Sequence, residues 1–594
     1  MGRLLYAVAA TAAVCAQAGA AHAWAAQPRA LVRGDLDPAL RAEIVRAVGE
    51  TDRPVDNRFE ARRRANAAAE DAIAVLRSEG YYAYVVEPDV GEGDTPVPAI
   101  EVTPGPRFVL TSPVIDWVGP PPDAEAERAA LAALALTPGA PARAADVVSA
   151  EGRAVAVVQQ RGYADAKAQP REVVVDHADH SLHATYRLAA GAPVRLDGIR
   201  LSAKGRTDTA WLQRLAPWRT GEAYQPKDVA ELERRLLDTG VYDEVTVALA
   251  PIAQTTPDGL RPVVVSLAER KRHTIEAGAS YGTNEGPGAD LRWTRYNFLG
   301  RADTLTLLAR ASKLDSRAEA DLSLPHWRMP DQTLTLSSAL YASNTDAFDV
   351  AGINLHADAQ HHFTKTSWLT FGASIDFSRT RELKPGTLTP LGRDVLALGT
   401  LADLSLDRSD DPLNPTHGWR LSGRAEPTLL AGRGTTPYLK LQAQGSYYLP
   451  LDPQARTVVA ARLHAGTIID GSVGDIPAPQ RFYAGGGGSV RGFAFQAVGP
   501  RLPDNTPQGG LSLLEGSLEV RHRLTRDWGL VAFVDAGDVG STATPQFRDL
   551  GVGAGLGVRY NLGFAPIRVD VAAPVSGRRG GAPFQIYVSI GQSF

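Results

Sequence analysis

Arg491 is the residue of this 594-residue chain whose surroundings most favour a chemical role. It lies near the end of the segment Arg-Phe-Tyr-Ala-Gly-Gly-Gly-Gly-Ser-Val-Arg-Gly-Phe, residues 481–493. Four successive glycines leave the backbone unusually free just before the guanidinium. Arginine offers five N–H donors in a planar fork, which suits it to hold carboxylates in a narrow space. Because no Lys-Ser/Thr follows the glycines, a phosphate-binding loop is disfavoured, and a plain flexible loop is the alternative.

Candidate partners of Arg491 lie on strand-like segments that follow it. Over residues 511–524, leucines and a valine alternate with a charged face that includes Glu515 and Glu519. The same alternation over residues 529–536 places Asp535 on the polar face. Lipid accepts charge only at high cost, so we expect the charged face to point into a barrel. The sequence predicts that Arg491 meets Glu519 and Asp535 there, although these charges could also simply line a wet lumen.

Glycines leave room on the same inward face. Residues 551, 553, 555 and 557 are all glycine and alternate with apolar residues. A strand whose inward positions carry no side chain lets another segment lie against it. We therefore expect the loop that carries Arg491 to pack against this wall.

Catalytic and cofactor motifs are missing from the sequence. It contains no His-Glu-x-x-His and no Cys-x-x-Cys, and Cys15 is the only cysteine. A net charge of −4 gives no general nucleic-acid footprint. We therefore expect no catalytic residue, no metal site, no cofactor and no nucleic-acid partner. An outer-membrane hydrolase would need a complete serine or aspartate constellation, which we do not find.

The first residues predict a secretory signal peptide over residues 1–23. Arg3 precedes an alanine-rich apolar run, and Ala21-His22-Ala23 fits the small-x-small cleavage pattern. The run is short for a transmembrane anchor. Because Cys15 lies inside this segment, the mature chain would have no cysteine.

One pattern occurs three times in the first half. Helix-like segments lead to Gly80, Gly162 and Gly240, each followed by an aromatic residue within two positions. Glycine is favoured just after a helix because it adopts the left-handed conformation there. Two strand-like runs follow each glycine, so the order is β-α-α-β-β in repeated modules. The helix-like segments are 62–78, 144–160 and 228–238, and the strand-like runs are 83–90, 99–102, 171–176, 182–188, 244–250 and 262–267. A solenoid or a single α+β domain is the alternative.

The pattern changes after Lys271 to short alternating runs separated by Gly, Pro, Asn and Asp. This two-residue period is typical of a transmembrane β-barrel. At roughly 20 residues per strand and connection, the remaining chain gives about 16 antiparallel strands. We predict a first strand over 274–281 and a last strand over 584–594. A pair of soluble β-sandwiches is the alternative.

Several segments carry a family resemblance. The tip Val490–Phe493 resembles the hallmark of the sixth external loop of the BamA/TamA superfamily of outer-membrane barrels. Residues 295–301 resemble its turn after the first strand, 407–419 its Asp-Pro-x-x-Pro-x-x-Gly turn, and 533–537 its Phe-x-Asp-x-Gly strand end. Phe594 is aromatic, as is common at the end of such barrels. Each motif alone is weak or moderate, but their order and spacing match over nearly the whole mature chain.

The resemblance implies a loop lock. In the superfamily the sixth loop folds back into the barrel, and its arginine meets acidic residues on the following strands. Carried over to this chain, the lock comprises the tip and its acidic partners, of which Glu515 matches the family position less well than Glu519: Val490, Arg491, Gly492, Phe493, Glu519, Asp535 and Glu515. The repeated modules correspond to periplasmic POTRA domains. The expected domains are the signal peptide 1–23, three POTRA domains at 27–105, 106–191 and 192–270, and the barrel at 271–594.

The expected function follows from the same resemblance. Three POTRA domains favour the TamA branch, because BamA usually has five and two-partner secretion transporters usually have two after a plug helix. Such a protein helps autotransporters and other β-barrel proteins fold into the outer membrane, without nucleotide or catalysis. The expected partners are a TamB-like, inner-membrane-anchored periplasmic protein on the first POTRA domain, unfolded outer-membrane clients and the lipid bilayer. A polypeptide-secretion pore of the two-partner type is the alternative.

A lateral seam is expected between the first and last strands. A barrel whose end strands pair poorly can lend its edge to an incoming strand. We expect short pairing between 275–281 and 585–593, with Gly591 weakening and bending the last strand. The predicted seam residues are Ile275, Ala277, Ala279, Tyr281, Ile586, Val588, Ile590, Gly591 and Phe594.

Overall fold

The computed structural model describes residues 27–92, 96–282, 286–432, 434–547, 550–563, 565–576 and 582–594. The predicted signal peptide lies outside these ranges. Among the described residues, no helix is both long enough and apolar enough to span a bilayer.

The first group of elements forms a small α/β module. Its sheet has the order β2-β5-β4, with β2 parallel and β4 antiparallel to β5. The inner face of α2 is almost entirely alanine, which lets the helix lie close to the sheet and to Ile44 of α1. Asp37 and Asn57 cap the two helices through their side-chain oxygens. The elements are β1 (Gln27–Pro28), β2 (Leu31–Arg33), α1 (Pro38–Val48), β3 (Glu50–Thr51), α2 (Arg58–Ser78), β4 (Val85–Val90) and β5 (Pro98–Thr103).

Two further groups repeat this order. The second has a five-stranded sheet around β10, and the third has the strand order β11-β13-β12. The elements of the second are β6 (Val109–Leu110), β7 (Val114–Trp117), α3 (Ala124–Ala133), α4 (Ala144–Gln160), β8 (Lys167–Ala168), β9 (Glu172–Asp176) and β10 (Ser181–Ala189). Those of the third are β11 (Arg195–Leu201), α5 (Thr209–Gln213), α6 (Pro226–Asp238), β12 (Tyr242–Leu249) and β13 (Leu260–Glu269). The α+β fold with the repeated order β-α-α-β-β predicted for this half is confirmed.

The repeated glycines end the second helix of each group. Gly80, Gly162 and Gly240 have φ angles of 89°, 97° and 68°, in the left-handed region that favours glycine. The predicted helix 144–160 coincides with α4, and the other two predicted helices begin two to four residues late. Helix starts were harder to predict because polar first-turn residues such as Arg58 carry no apolar periodicity.

In the described residues, the second half of the chain forms one antiparallel sheet of 16 strands, β14 to β29, each paired with its neighbours in sequence. The predicted strand number is confirmed. The first eight strands are β14 (His273–Gly282), β15 (Gly286–Tyr296), β16 (Thr304–Ser312), β17 (Asp315–Leu324), β18 (Gln332–Asn344), β19 (Phe348–Thr364), β20 (Ser367–Leu383) and β21 (Pro390–Asp407). The last eight are β22 (Gly418–Ala431), β23 (Thr435–Pro450), β24 (Thr457–Ile469), β25 (Ser512–Arg523), β26 (Trp528–Gly540), β27 (Gly551–Asn561), β28 (Pro566–Ser576) and β29 (Gln585–Ile590).

Strand faces alternate as the sequence indicated. On β25 and β26, Leu518, Val520 and Val534 are exposed, whereas Glu519 and Asp535 are fully buried. Exposed apolar residues on successive strands form the band that lipid covers in a membrane barrel. The inward face is polar and holds the loop described below.

Two strand predictions are corrected. The turn at 295–301 follows the second barrel strand, β15, not the first, because β14 and β15 are separate strands on either side of residues 283–285. The last strand ends at Ile590 and not at Phe594. Gly591 has a φ of 88°, which turns the chain out of the sheet.

A polar network ties the turn at 295–301 to the third module, which is the group of elements from β11 to β13. Asn297 Nδ2 donates to Thr207 Oγ1 at 3.1 Å, and Thr207 Oγ1 donates to Glu269 Oε1 at 2.9 Å. The Asp208 N–H donates to the Gly300 carbonyl at 2.7 Å. A Cβ on Gly300 would lie 2.9 Å from the Arg206 carbonyl oxygen, so this close approach requires glycine. The network fixes the start of the barrel sheet to the last module before it.

The alternating strands predict which turns share a side of the membrane. Thr387 lies between β20 and β21, at the end where the long connection 470–511 lies, and Gln454 lies between β23 and β24 at the opposite end. We expect a Thr387→Cys variant to react with a membrane-impermeant maleimide in intact cells. A Gln454→Cys variant is the matched control and should react only after the outer membrane is permeabilised. The reverse labelling pattern would contradict this topology.

Candidate functional site

The connection between β24 and β25, residues 470–511, runs inside the barrel instead of over its rim. Its tip, Val490–Phe493, is buried, and Arg491 is only 2% exposed. Arg491 is the largest of the fully buried side chains in the described part of the chain. A buried guanidinium needs partners for its charge and its donors, and the surrounding strands supply them.

Asp535 on β26 makes the most complete contact with Arg491. Its Oδ2 accepts from Arg491 Nε at 2.6 Å, and its Oδ1 accepts from Nη2 at 2.9 Å. The backbone N–H of Arg491 also donates to Oδ2 at 3.1 Å. This two-pronged geometry is the strongest form of the arginine–carboxylate interaction. Among the described residues, Asp535 has no other cationic partner.

Two further carboxylates share the remaining side of the guanidinium. Arg491 Nη1 lies 2.7 Å from Glu519 Oε1 on β25 and 3.1 Å from Asp570 Oδ2 on β28. Both also face other arginines, since Glu519 Oε2 is 2.8 Å from Arg521 Nη2 and Asp570 Oδ1 is 2.5 Å from Arg559 Nη1. The site is therefore an alternating cluster of opposite charges, in which only Asp535 depends on Arg491 alone.

Aromatic residues complete the seat of the tip. The Arg491 guanidinium carbon lies 3.4 Å from the centre of the Phe533 ring, a cation–π contact. The Tyr587 hydroxyl on β29 accepts from the Gly492 N–H at 3.1 Å and donates to the Phe493 carbonyl at 3.0 Å. The tip is thus bonded to the last strand as well as to β25, β26 and β28.

The glycine wall on β27 is what admits the loop. A Cβ on Gly553 would lie 1.8 Å from the Arg491 carbonyl oxygen, and one on Gly551 would lie 3.1 Å from the Phe493 ring. On β26, a Cβ on Gly537 would lie 2.6 Å from Val490 Cγ2. Gly492 itself has a φ of 99°, so the tip turns where only glycine is unstrained.

Glu515 is in the lumen but does not contact Arg491. It accepts a short hydrogen bond from Ser489 Oγ, and its Oε2 lies 3.1 Å from His464 Nδ1. It therefore holds the approach to the tip, while Glu519 contacts the arginine. Sequence reasoning did not include Asp570, Phe533 or Tyr587 among the site residues. Strand alternation alone places all three inward, and only the cross-strand register reveals that they meet at Arg491.

The predicted seam has unpaired edges. In the described ranges, β14 forms a ladder only with β15, and β29 only with β28. The short pairing predicted between 275–281 and 585–593 is absent from these residues. Ile275 and Ala277 on β14 are exposed, as are Ile586, Val588 and Ile590 on β29. Ala279 is also exposed, and the Tyr281 backbone pairs with Pro287 of β15.

Beyond the last strand the chain turns into the lumen. The Gly591 N–H donates to the Pro566 carbonyl at 2.8 Å, and Gln592 Nε2 donates to Asn414 Oδ1 at 3.0 Å. Ser593 Oγ donates a short hydrogen bond to Glu519. The Phe594 ring stacks on Tyr448 with centroids 6.5 Å apart. These inward contacts explain why the last strand is shorter than predicted.

One group outside the barrel has the residue types of a metal site. Asp176, Asp179 and His183 lie close together on the second module. The two ring nitrogens of His183 already lie within hydrogen-bond distance of Ser181 Oγ and Thr111 Oγ1. We therefore assign no ion to this group.

Comparisons with known proteins agree with this architecture. The chain is 23% identical over 408 residues to the outer membrane protein assembly factor BamA of Neorickettsia risticii, covering 65% of this chain and 53% of that protein. It is 21% identical over 434 residues to BamA of Nitratidesulfovibrio vulgaris, covering 70% and 53%. The chain thus spans about half the length of these curated relatives.

A solved structure shares the fold. The crystal structure of BamA from Haemophilus ducreyi lacking POTRA domains 1–3 superposes with a TM-score of 0.70 at 18% identity, covering 82% of this chain and all of that one.

A family model assigns the C-terminal half. The model described as the Omp85 superfamily domain matches residues 297–594, half of the chain, which includes the loop tip and its carboxylates. The protein is accordingly an outer-membrane β-barrel preceded by periplasmic modules of the POTRA kind. The chain belongs to the Omp85 superfamily.

Proposed function

We propose that this protein is a TamA-type assembly factor that helps autotransporters and other β-barrel proteins insert into the outer membrane. The observation that carries the proposal is the pair of unpaired edges on β14 and β29. In lipid, each unsatisfied backbone group costs several kcal/mol. An incoming strand that pairs with such an edge satisfies both chains, which is strand addition at a sheet edge. This work needs neither nucleotide nor catalysis.

The lock controls this edge in our proposal. Tyr587 joins the loop tip to β29, and Glu519 contacts both Arg491 and Ser593. While Arg491 is seated, the last strand is held in one position. Release of the tip would free β29 to pair with a client strand, and reseating of the tip would return β29 to its held position. Because assembly in this proposal needs both states, a variant that cannot seat the tip should assemble clients poorly.

The N-terminal modules are proposed as three POTRA domains at 27–105, 106–191 and 192–270, with clients passing them on the way to the barrel. A TamB-like protein anchored in the inner membrane is the proposed partner of the first. Phe59, in the first turn of α2, supports a docking role there. It is 80% exposed, the highest value among the large hydrophobic side chains in the described residues, although it lies outside the barrel where no lipid covers it.

Locking the seam tests the function directly. In an Ala277→Cys/Val588→Cys variant, a bismaleimide crosslink should tie β14 to β29 and abolish assembly of an autotransporter into proteoliposomes. The matched control is Leu518→Cys/Val534→Cys, two outward residues that are register partners on β25 and β26. Its crosslink should leave assembly unchanged. Full activity with the seam quantitatively crosslinked would rule out lateral opening.

A steady ion conductance together with export of one dedicated secreted partner would instead support the two-partner secretion pore.

Filling the glycine wall should unseat the loop. A Gly553→Ala variant places a Cβ where the Arg491 carbonyl lies, so we expect the tip to become protease-sensitive and client assembly to fall. Gly445→Ala on β23 is the matched control, because no atom lies within 4 Å of its added Cβ. Equal protease resistance of the two variants would contradict the seat as described.

Removing Arg491 should be costly because Asp535 has no other cationic partner among the described residues. Arg491→Ala leaves Asp535 buried without a cation, a change that typically costs about 3–5 kcal/mol. We expect the variant to insert but to show a more protease-sensitive loop and poor client assembly. Adding Asp535→Asn to Arg491→Ala should recover part of the barrel's heat resistance on gels, because the orphan charge is gone. Arg491→Lys should rescue only in part, because lysine lacks the planar fork.

The control for this series is Arg379→Ala, which removes an exposed pair with Asp394. Exposed pairs are typically worth about 0–1 kcal/mol, so this variant should behave like the wild type. Wild-type assembly and loop proteolysis in Arg491→Ala would show that the segment is an ordinary loop.

A further inference from the structure

The loop in the lumen is anchored at a second place, on a different wall of the barrel from the lock. Glu382 lies at the end of β20, and its side chain is 1% exposed. Its Oε2 accepts from Arg481 Nη2 at 2.8 Å and from the Ala478 N–H at 3.0 Å. Its Oε1 lies 2.6 Å from Arg393 Nε on β21. None of these residues belongs to the lock around Arg491.

Arg481 connects this wall to both arms of the loop. Its Nε donates to the Ile476 carbonyl at 2.9 Å, on the arm that precedes the tip. Its Nη1 donates to the Gln508 carbonyl at 2.8 Å, on the arm that follows the tip. All three nitrogens of the guanidinium are used, and the side chain is 2% exposed. One buried arginine therefore closes the base of the loop into a ring and fixes it to β20.

Arg393 strengthens the same base from the neighbouring strand. Its Nη1 donates to the Asp475 carbonyl at 3.1 Å, and its Nη2 donates to the Gly474 carbonyl at 2.5 Å. The base is thus attached to β20 and β21, whereas the tip is attached to β25, β26, β28 and β29. The loop crosses the lumen between two walls, and the four glycines 485–488 lie between its two anchors.

We infer that Glu382 and Arg481 are positioning residues, which set the loop so that Arg491 reaches Asp535. With the base fixed, the tip is placed by a tether of about 10 residues from Arg481, and without it by about 22 residues from the end of β24. A shorter tether loses less entropy when its end is held in place. The effective concentration of the tip at its seat is therefore about threefold higher when the base is fixed. The flexible glycines make this dependence stronger, because they transmit no stiffness from β24 to the tip.

Hydrogen exchange read by mass spectrometry on the full-length protein in detergent micelles tests this inference. In Glu382→Gln we expect faster exchange in the base, residues 474–482. We also expect exchange to be faster by about threefold or more in residues 488–498, the segment that contains the tip. In Arg491→Ala we expect faster exchange in the tip alone, with the base at its wild-type rate. This asymmetry would show that the base positions the tip.

Asp394→Asn is the matched control, because it removes an exposed ion pair with Arg379 on the same two strands. It should change neither segment. If Glu382→Gln loses the compact gel mobility of the folded barrel, Arg481→Lys provides the same readout, since it keeps the charge beside Glu382 and loses the fork that reaches Ile476 and Gln508.

A base that exchanges faster while the tip keeps its wild-type rate would overturn the inference, because Glu382 would then act only locally. Exchange reports on the loop and not on client assembly. The inference therefore stands or falls separately from the proposed function.

Discussion

The burial of one positive charge is the constraint that the rest of the site satisfies. Arg491 lies where water hardly reaches, and an unpaired guanidinium there would be very costly. Three carboxylates and the face of Phe533 surround it, and each comes from a strand whose neighbours fix its position. Gly537 of β26 and Gly551 and Gly553 of β27 carry no side chain on the inward face, where a Cβ would meet atoms of the loop. The strands must therefore supply carboxylates and glycines at the positions where the loop brings its arginine and its tip.

In the proposed function the lock opens, and the arrangement of the charges limits the cost of that step. If Arg491 leaves, Glu519 keeps Arg521 and Asp570 keeps Arg559, each at hydrogen-bonding distance. Only Asp535 is left without a cation in the described residues. The cost of opening is therefore concentrated in one carboxylate, while the rest of the cluster stays neutralised. A cluster in which every carboxylate depended on Arg491 would cost far more to open.

The sequence could predict features that depend on neighbouring residues, but not contacts between residues far apart along the chain. Two-residue alternation placed Glu519 and Asp535 inward, and the glycine that follows a helix located the end of each module's second helix. Asp570 and Tyr587 could be placed inward but not at Arg491, because their position there depends on the register of the five strands from β25 to β29. Glu382 could not be linked to the loop at all. It lies 99 residues before Arg481, and nothing in the sequence around it predicts a buried partner so far along the chain.

In the proposed function, the last strand links the lock to the seam. The sequence predicted a last strand up to Phe594, weakened and bent at Gly591. The left-handed glycine instead turns the chain inward, where Ser593 bonds to Glu519. Glu519 thus contacts the loop arginine and the end of the chain described here, and Tyr587 of β29 contacts the loop backbone on either side of the Gly492–Phe493 peptide. While Arg491 is seated, these contacts of Tyr587 and Ser593 restrain the edge strand. In the proposed function, opening the seam and releasing the loop are therefore a single step, and its barrier is set largely by the Arg491–Asp535 pair.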